Sequence, residues 1–435
     1  MPHKIKLLVL LLLTGAAQGL RAQENSPYTR YGFGDLKLAE NSAITGMGSV
    51  TAAYDDGLHL NFSNPASYAH LKLTTFDFSL YGSALKLKSG DLNSSSGNSS
   101  LHYFALGFPI KRNVLGGAFG LLPYSSIGYS VNQDNIGVNG VDSSNTRYLG
   151  SGRIYQAFVG SGFAHHNLSA GLNLKYMFGT ENYAITWELP PSQNAFNTYK
   201  QESRYLNSFL LEGGLQYQIH IKDPKDSTKT KYELLFGVNG NLKTPLHATH
   251  SVLYERFLYA SSGLNAIDSV QVSGGTGKII MPMQWSGGFI FRSPGHYSVG
   301  FNVQMANWSQ YQAFGESDST QNSMRVSLGG EWVPAGSSNE NYLNLIRYRA
   351  GIYYGKSYLL FQQQGFTEKG FNLGLGLPLK RMNFENTKTV IAELNLSLDA
   401  GQRGTLNNGL LRETYYRVYM GITLSDLWFI KRKYD

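Results

Sequence analysis

The chain has 435 residues, no cysteine, a formal charge of +8 and only 15 % charged side chains. Without thiols there are no disulfide frameworks, cysteine-based metal sites or cysteine nucleophiles. The basic residues are scattered, with no run suited to gripping nucleic acid, and three of them (Lys4, Lys6, Arg21) fall in or beside a leader.

That leader comes first in the chain. Met1-Pro-His-Lys-Ile-Lys6 is basic, Leu7–Leu13 is unbroken apolar sequence, and Gly15, Ala16 and Ala17 are small. This order predicts a secretory signal peptide over residues 1–22, cut after Ala22, with Ala17 as the alternative. The apolar run is too short to span a bilayer, and no later stretch approaches about 18 apolar residues. No transmembrane helix is expected, and no cysteine follows the run to carry a lipid.

Residues 23–70 are short-range, glycine-rich and polar, and they centre on Gly57–Ala69. Asn64-Pro65-Ala66 is a turn signal there, because proline fixes its own φ and biases the preceding residue away from the helical region. We expect residues 23–70 to form a plug and residues 71–435 a barrel around it, closing in a short periplasmic tail.

From residue 71 onward the period is two. Phe371–Leu379 places Phe and Leu on one face against Asn, Gly and Pro; Val390–Leu398 and Tyr416–Leu424 repeat the pattern. So do 168–178, 209–221, 232–238, 283–291, 297–305 and 326–332, while 73–87, 101–110, 114–130, 148–163 and 344–357 are less regular. About fourteen strands result, each long enough for the roughly 9–11 residues that cross a membrane at a tilt.

A β-sandwich or a propeller would alternate as well, so the connections discriminate. Loops expected at 88–99, 131–147, 187–203 and 255–277 alternate with shorter links at 111–113, 165–167, 222–231 and 293–296, as in outer-membrane barrels. The pattern fades at 334–342. The fold class is therefore all-β, a transmembrane antiparallel barrel with its apolar face in lipid. Lys175, Glu212, Glu233, Arg325, Glu331, Glu393 and Arg417 should face the lumen, since an Arg or Lys in lipid near the midplane costs about 2–4 kcal/mol. Trp187, Trp308, Trp332, Tyr415 and Trp428 suit the interfacial girdles. The third strand carries Gly116, Gly117, Gly120 and Pro123, and Pro123 interrupts its ladder. Such a break is either a gate or a plain edge distortion.

With plug and barrel in view, the chain resembles the FadL-type outer-membrane transporters of hydrophobic compounds, and within them the Bacteroidota branch with its PorV-like relatives. The residues that carry this are Gly46-Met-Gly48, Asn61-Phe-Ser-Asn-Pro-Ala66, the mature start Asn25–Asp35, Leu398–Thr405 and Trp428–Lys433. The resemblance implies a lumen blocked by the plug and a kinked third strand opening a lateral gate at Gly116, Gly117, Gly120 and Pro123. Hydrophobic or amphipathic small molecules, such as long-chain fatty acids, would then leave sideways into membrane lipid. It also implies an alternative: an accessory subunit of a secretion or assembly complex, with protein partners and no transport. Tyr254–Leu264, in a long outer loop, would serve either role.

Other constellations are weak. His247-Ala-Thr-His250 and His165-His166 lack a nearby carboxylate and read as solvated histidines rather than metal ligands. Asp55-Asp56-Gly57 reads as a turn rather than a cation loop. Gly274-Gly-Thr-Gly-Lys278 lacks the spacing and following helix of a phosphate loop. No catalytic residue, metal or cofactor is expected, and inward charges such as Glu393, Asp399 and Arg417 are expected to hold the plug more than to select a substrate.

Overall fold

A sheet in hydrocarbon leaves no edge unpaired, so strands facing lipid close on themselves. The computed structural model describes residues 25–135, 143–189, 196–260, 263–334, 341–384, 387–407 and 410–427. The leader and the closing Trp428–Lys433 lie outside the described residues. The first strands are β1 (Asp35–Leu36), β2 (Thr74–Ser89), β3 (Leu92–Lys111), β4 (Leu115–Asn135), β5 (Ser144–His165), β6 (Leu168–Glu188) and β7 (Asn197–Asp223). Then come β8 (Asp226–Asn241), β9 (Thr244–Ala260), β10 (Gly263–Met281), β11 (Gln284–Ser293), β12 (Tyr297–Ala306), β13 (Gln312–Ala313) and β14 (Glu316–Ser317). The last are β15 (Ser323–Trp332), β16 (Arg347–Phe361), β17 (Gln364–Phe384), β18 (Thr387–Gly404) and β19 (Arg412–Asp426). Fourteen of them form an antiparallel ring, β2 to β8, β11, β12 and β15 to β19, and β19 pairs back onto β2 from Asp426↔Thr74 to Arg412↔Lys88. No helix among the described residues is long and apolar enough to cross a membrane.

The faces follow the alternation. Phe371, Leu373 and Leu375 are 47, 49 and 39 % exposed, whereas Asn372 between them is 1 % exposed. Lys175, Glu212 and Glu393 are buried on the inner side. Trp187 and Trp332 lie on the outer surface as expected. Trp308 and Tyr415 do not: each is 1 % exposed and packs inside. Trp308 follows β12 in a short 3-10 turn (Trp308–Gln310), so strand alternation no longer governs its direction.

Several expected loops are strand. Residues 88–99 belong to the β2–β3 hairpin, 187–188 and 197–203 to the ends of β6 and β7, most of 222–231 to β7 and β8, and 255–260 and 263–277 to β9 and β10. The 131–147 loop shrinks because β4 runs to Asn135 and β5 begins at Ser144. Runs such as Asn93-Ser-Ser-Ser-Gly-Asn98 bond their backbone in a ladder with small polar side chains on both faces, so they carry no apolar alternation to read. The tight turns at 111–113 and 165–167 are present, with Asn113 and His166 in the left-handed region at φ 56° and 54°.

The outer half of the wall departs from a simple cylinder at two seams. The β3–β4 ladder stops at Phe104↔Leu121, beside a register shift between Pro123 and Ser125 on the β5 side. Past that point β4 pairs with β1 (Leu36↔Ser125, Asp35↔Ser126), and the backbone N–H groups of Lys37 and Ser26 donate to the carbonyls of Tyr124 and Gly128, both at 2.8 Å. Arg153 bridges across to Ser100 Oγ at 3.0 Å and Asn98 Oδ1 at 3.3 Å. At the second seam β7 exchanges β8 for β9 (Leu206↔Ala248 onward), and β10 is met by β13 at Ile279↔Ala313. Each seam is held by a short strand from elsewhere in the chain.

Candidate functional site

The segment from Asn25 to Leu73 is largely buried and runs through the lumen side of the wall. Its turns are locally specified. Asn41 caps helix α1 (Ser42–Gly46) through Oδ1 to the Ile44 N–H at 2.9 Å, and Asn64 caps the 3-10 helix Pro65–His70 through the Ala66 N–H at 3.2 Å, with Pro65 at its first position. The wall receives that second helix on glycines. A Cβ at Gly171 would lie 2.5 Å from the Pro65 carbonyl oxygen and 2.6 Å from the Ala66 nitrogen. Gly116 and Gly162 present the same bare backbone to Tyr68 and Pro65, and Gly214 makes room for the Asn64 side chain. On the opposite wall Gly329 faces the Met47 carbonyl and Gly374 the Gly46 Cα. At all of these glycines but Gly214 backbone meets backbone, leaving no room for a Cβ.

Polar bonds tie the same segment to the wall. Asn302 Oδ1 accepts from the Ala52 N–H at 3.0 Å, Asn173 Nδ2 donates to the Phe62 carbonyl at 3.1 Å, and Ser42 and Ser79 hydroxyls meet at 2.7 Å. Asp55 is a buried partner of His70, and the half-buried Asp56 pairs with His59 while its Oδ1 accepts from the Leu58 and His59 N–H groups, closing a local turn. His59 stands between Asp56 Oδ2 at 2.5 Å and Glu393 Oε1 at 3.3 Å. Burial alone would lower its pKa, yet the two carboxylates outweigh burial and raise it to about 10. Arg347 and Arg349 complete the cluster by pairing with both Glu331 and Glu393.

Higher in the lumen Asp35 collects Lys37 at 2.7 Å, Arg403 at 2.7 Å and Arg417 at 3.6 Å. Burial opposes its ionisation, but these three cations hold its carboxyl far below the usual range. Arg403 also binds Glu413, which accepts from the Ser26 hydroxyl at 2.5 Å. Above lies an apolar cap in which Tyr28 and Phe33 pack with Trp308, Tyr311, Leu359 and Phe366. Tyr28 stacks on Phe366 at 4.2 Å, and Trp308 on Tyr358 at 4.4 Å. Between cap and lower segment is a cavity of 290 Å³ that reaches the wall at Pro123 and Tyr124 and is lined by Glu40, Lys175, Glu212, Arg325, Asp399 and Arg417, among others.

The structure places the sequence candidates as follows. Asn64, Pro65 and Ala66 sit in the glycine cradle; Gly116 belongs to that cradle, and Gly117 and Gly120 pack against Phe108 and Phe104. Pro123 marks the end of the β3–β4 ladder. Glu212 pairs with Lys175 at 2.5 Å, Glu233 with Arg292 at 2.5 Å, and Arg417 with Asp399 at 3.3 Å. Arg325 and Arg417 line the cavity, whereas Glu233 and Glu393 are not among its lining residues. His250 meets the Phe314 ring at a tilt, and His165 meets His166 edge to face. Tyr254–Leu264 lies in the β9–β10 hairpin rather than in a loop, and residues 261–262 at its tip are outside the described residues. Nothing in the sequence singles out Asp35, Arg349 and Arg403, or the cradle glycines other than Gly116. Glycine at inward strand positions is the one signal it offers.

A family model described as BamG matches residues 1–435. No curated protein matches the chain by sequence. Among solved structures the chain is similar to the Pseudomonas putida toluene transporter TodX, at 14 % identity and TM-score 0.54 over 90 % of this chain and 98 % of that one. It is also similar to the Ralstonia pickettii toluene transporter TbuX (13 %, TM-score 0.53, 89 % and 99 %) and to a Pseudomonas aeruginosa FadL homologue (11 %, TM-score 0.53, 90 % and 99 %). At these identities the likeness concerns the fold: an outer-membrane barrel of the FadL type.

Proposed function

The chain belongs to the BamG family, and from that premise we propose that it is a non-transporting barrel of the outer membrane, an accessory subunit of an assembly or secretion complex. Residues 1–22 are its cleaved leader, residues 23–70 its permanent plug, and residues 71–435 the barrel that presents outer strands to partner proteins. The observation that carries this reading is the way the lumen is filled. Backbone-to-backbone packing on glycines, ion pairs and an apolar cap hold residues 25–73 at every level. A stopper held this way is costly to displace, and the remaining cavity is small, at 290 Å³, with charged and apolar side chains together on its lining. No catalysis is assigned to it.

One observation favours a second reading, uptake of a hydrophobic small molecule with lateral release into lipid. The cavity touches Pro123, where the β3–β4 ladder ends. The toluene transporters of similar fold make an apolar compound the natural candidate, and a fatty-acid-like chain is a further one.

Both readings meet in one experiment. Ser42 and Ser79 hydroxyls are 2.7 Å apart and the chain has no cysteine, so Ser42→Cys with Ser79→Cys offers one disulfide between plug and wall. As an accessory subunit, the oxidised variant still co-purifies with other outer-membrane barrels in mild detergent and restores their folded levels in a depleted strain. Loss of toluene or fatty-acid uptake on oxidation, recovered on reduction, would establish transport instead.

A further inference from the structure

We propose that the lumen cavity is a binding site for one compact oxyanion, a small carboxylate or phosphate, held by Arg325. The cavity, at 290 Å³, is near the lower end of ligand-pocket sizes. Its charges are unequally satisfied. Asp35, Asp399 and Glu212 each have a cation within 4 Å. Glu40 accepts from the hydroxyls of Thr45 and Ser49, and Glu368 from that of Tyr415. Every acidic group on the lining thus already has a donor from the protein.

Arg325 has no such partner. Lys37, Lys175, Arg403 and Arg417 each pair with a carboxylate, whereas Arg325 has neither an ion pair nor a hydrogen bond among the described residues. Its guanidinium rests on the ring of Tyr353, 3.7 Å from the centroid, and its Nε is buried without an acceptor. The face of that ring holds a cation but leaves the in-plane N–H donors unused. A planar fork of free donors beside this cavity matches a carboxylate or phosphate bidentately. The same ligand would meet the free Nε of Arg417. The site goes beyond the function proposed above and stands whether or not the barrel transports.

The test uses the full-length protein in detergent micelles and equilibrium dialysis with labelled inorganic phosphate and labelled succinate, in parallel with decanoate, at constant ionic strength. The expected result is saturable one-site binding of phosphate, succinate or both, at least tenfold weaker in Arg325→Met and intermediate in Arg325→Lys. Heat-modifiable gel migration verifies that each variant is folded. Should Arg325→Met fail to fold, Glu40→Gln supplies the opposite perturbation: removing a neighbouring negative charge tightens binding several-fold at pH 8. Equal binding by wild type and folded Arg325→Met, no response to Glu40→Gln, or saturation by decanoate alone would each overturn the proposal.

Discussion

Replacing Gly171 by alanine tests whether the lumen segment is built into the wall or merely resting there. The added Cβ would sit 2.5 Å from the Pro65 carbonyl oxygen and 2.6 Å from the Ala66 nitrogen, both backbone atoms with no rotamer to move. The Pro65 carbonyl carbon is nearer still at 2.4 Å, so retreat to 3.0 Å, the shortest separation real Cβ atoms show, requires a shift of about 0.6 Å, and ordinary contact at 3.4 Å requires about 1.0 Å. A shift of that size strains the bonds on either side, Asn64 Nδ2 to the Ala52 carbonyl at 2.6 Å and Asn173 Nδ2 to the Phe62 carbonyl at 3.1 Å. Overpacking costs about 1–3 kcal/mol and each of the two weakened hydrogen bonds about 1 kcal/mol, so the expected loss is about 3–5 kcal/mol. Urea unfolding of the barrel in lipid vesicles, followed by tryptophan fluorescence, measures it. Gly213→Ala is the control, because its nearest neighbour would be Leu172 Cδ2 at an ordinary 3.5 Å. Gly171→Ala unfolding within about 0.5 kcal/mol of Gly213→Ala would refute the cradle, and with it the permanence of the plug.

Burial raises the pKa of Glu40 from 4.5 to about 7, against the opposing pull of Arg325 and hydrogen bonds from Ser49 and Thr45. A carboxyl whose folded pKa is raised contributes stability below about pH 4.5 and loses it as pH rises through 7, here about 3 kcal/mol at 1.36 kcal/mol per unit. Glu40→Gln should flatten that fall, so that the variant exceeds wild type at pH 8 in unfolding titrations; parallel pH profiles would contradict the assignment. Leu373→Arg places a charge on the lipid face and should cost about 2–4 kcal/mol in vesicle-refolding equilibria if it lies near the midplane. No loss there would mean the faces are inverted. Trp308→Ala hollows the apolar cap and should cost about 3–5 kcal/mol, and proteolysis in the Trp308–Tyr311 stretch should accelerate; an unchanged digestion pattern would show the cap to be dispensable.

Part of this molecule is legible in its amino-acid sequence. Phe371–Leu379 and Leu168–Phe178 show which face meets lipid, since neighbouring side chains in a strand point to opposite sides whatever the strand pairs with. Lys175, Glu212 and Glu393 have to point inward for the same reason, and Asn64-Pro65 announces its turn because a cap and a fixed φ act within three residues. The outer extensions of β2, β3, β9 and β10 stay hidden because polar stretches such as Asn93–Asn98 and Ser273–Lys278 carry no apolar alternation, although the backbone there is still paired. Trp308 departs from its expected place in the girdle because a 3-10 turn breaks the period of two.

Sequence alone thus determined the faces of the strands, their approximate number and the turn at Asn64-Pro65-Ala66, all consequences of geometry local to a few residues. The tertiary structure decided what fills the lumen. The Ser26–Glu413 bond joins residues 387 apart in the chain, and the Arg403–Asp35 pair residues 368 apart. No local pattern encodes such partners, nor which inward glycines meet the backbone of residues 46–69, nor that Arg325 lies beside a cavity whose Lys37, Lys175, Arg403 and Arg417 pair with carboxylates. Those outcomes depend on where the closed wall brings distant side chains together, and only closure sets those distances.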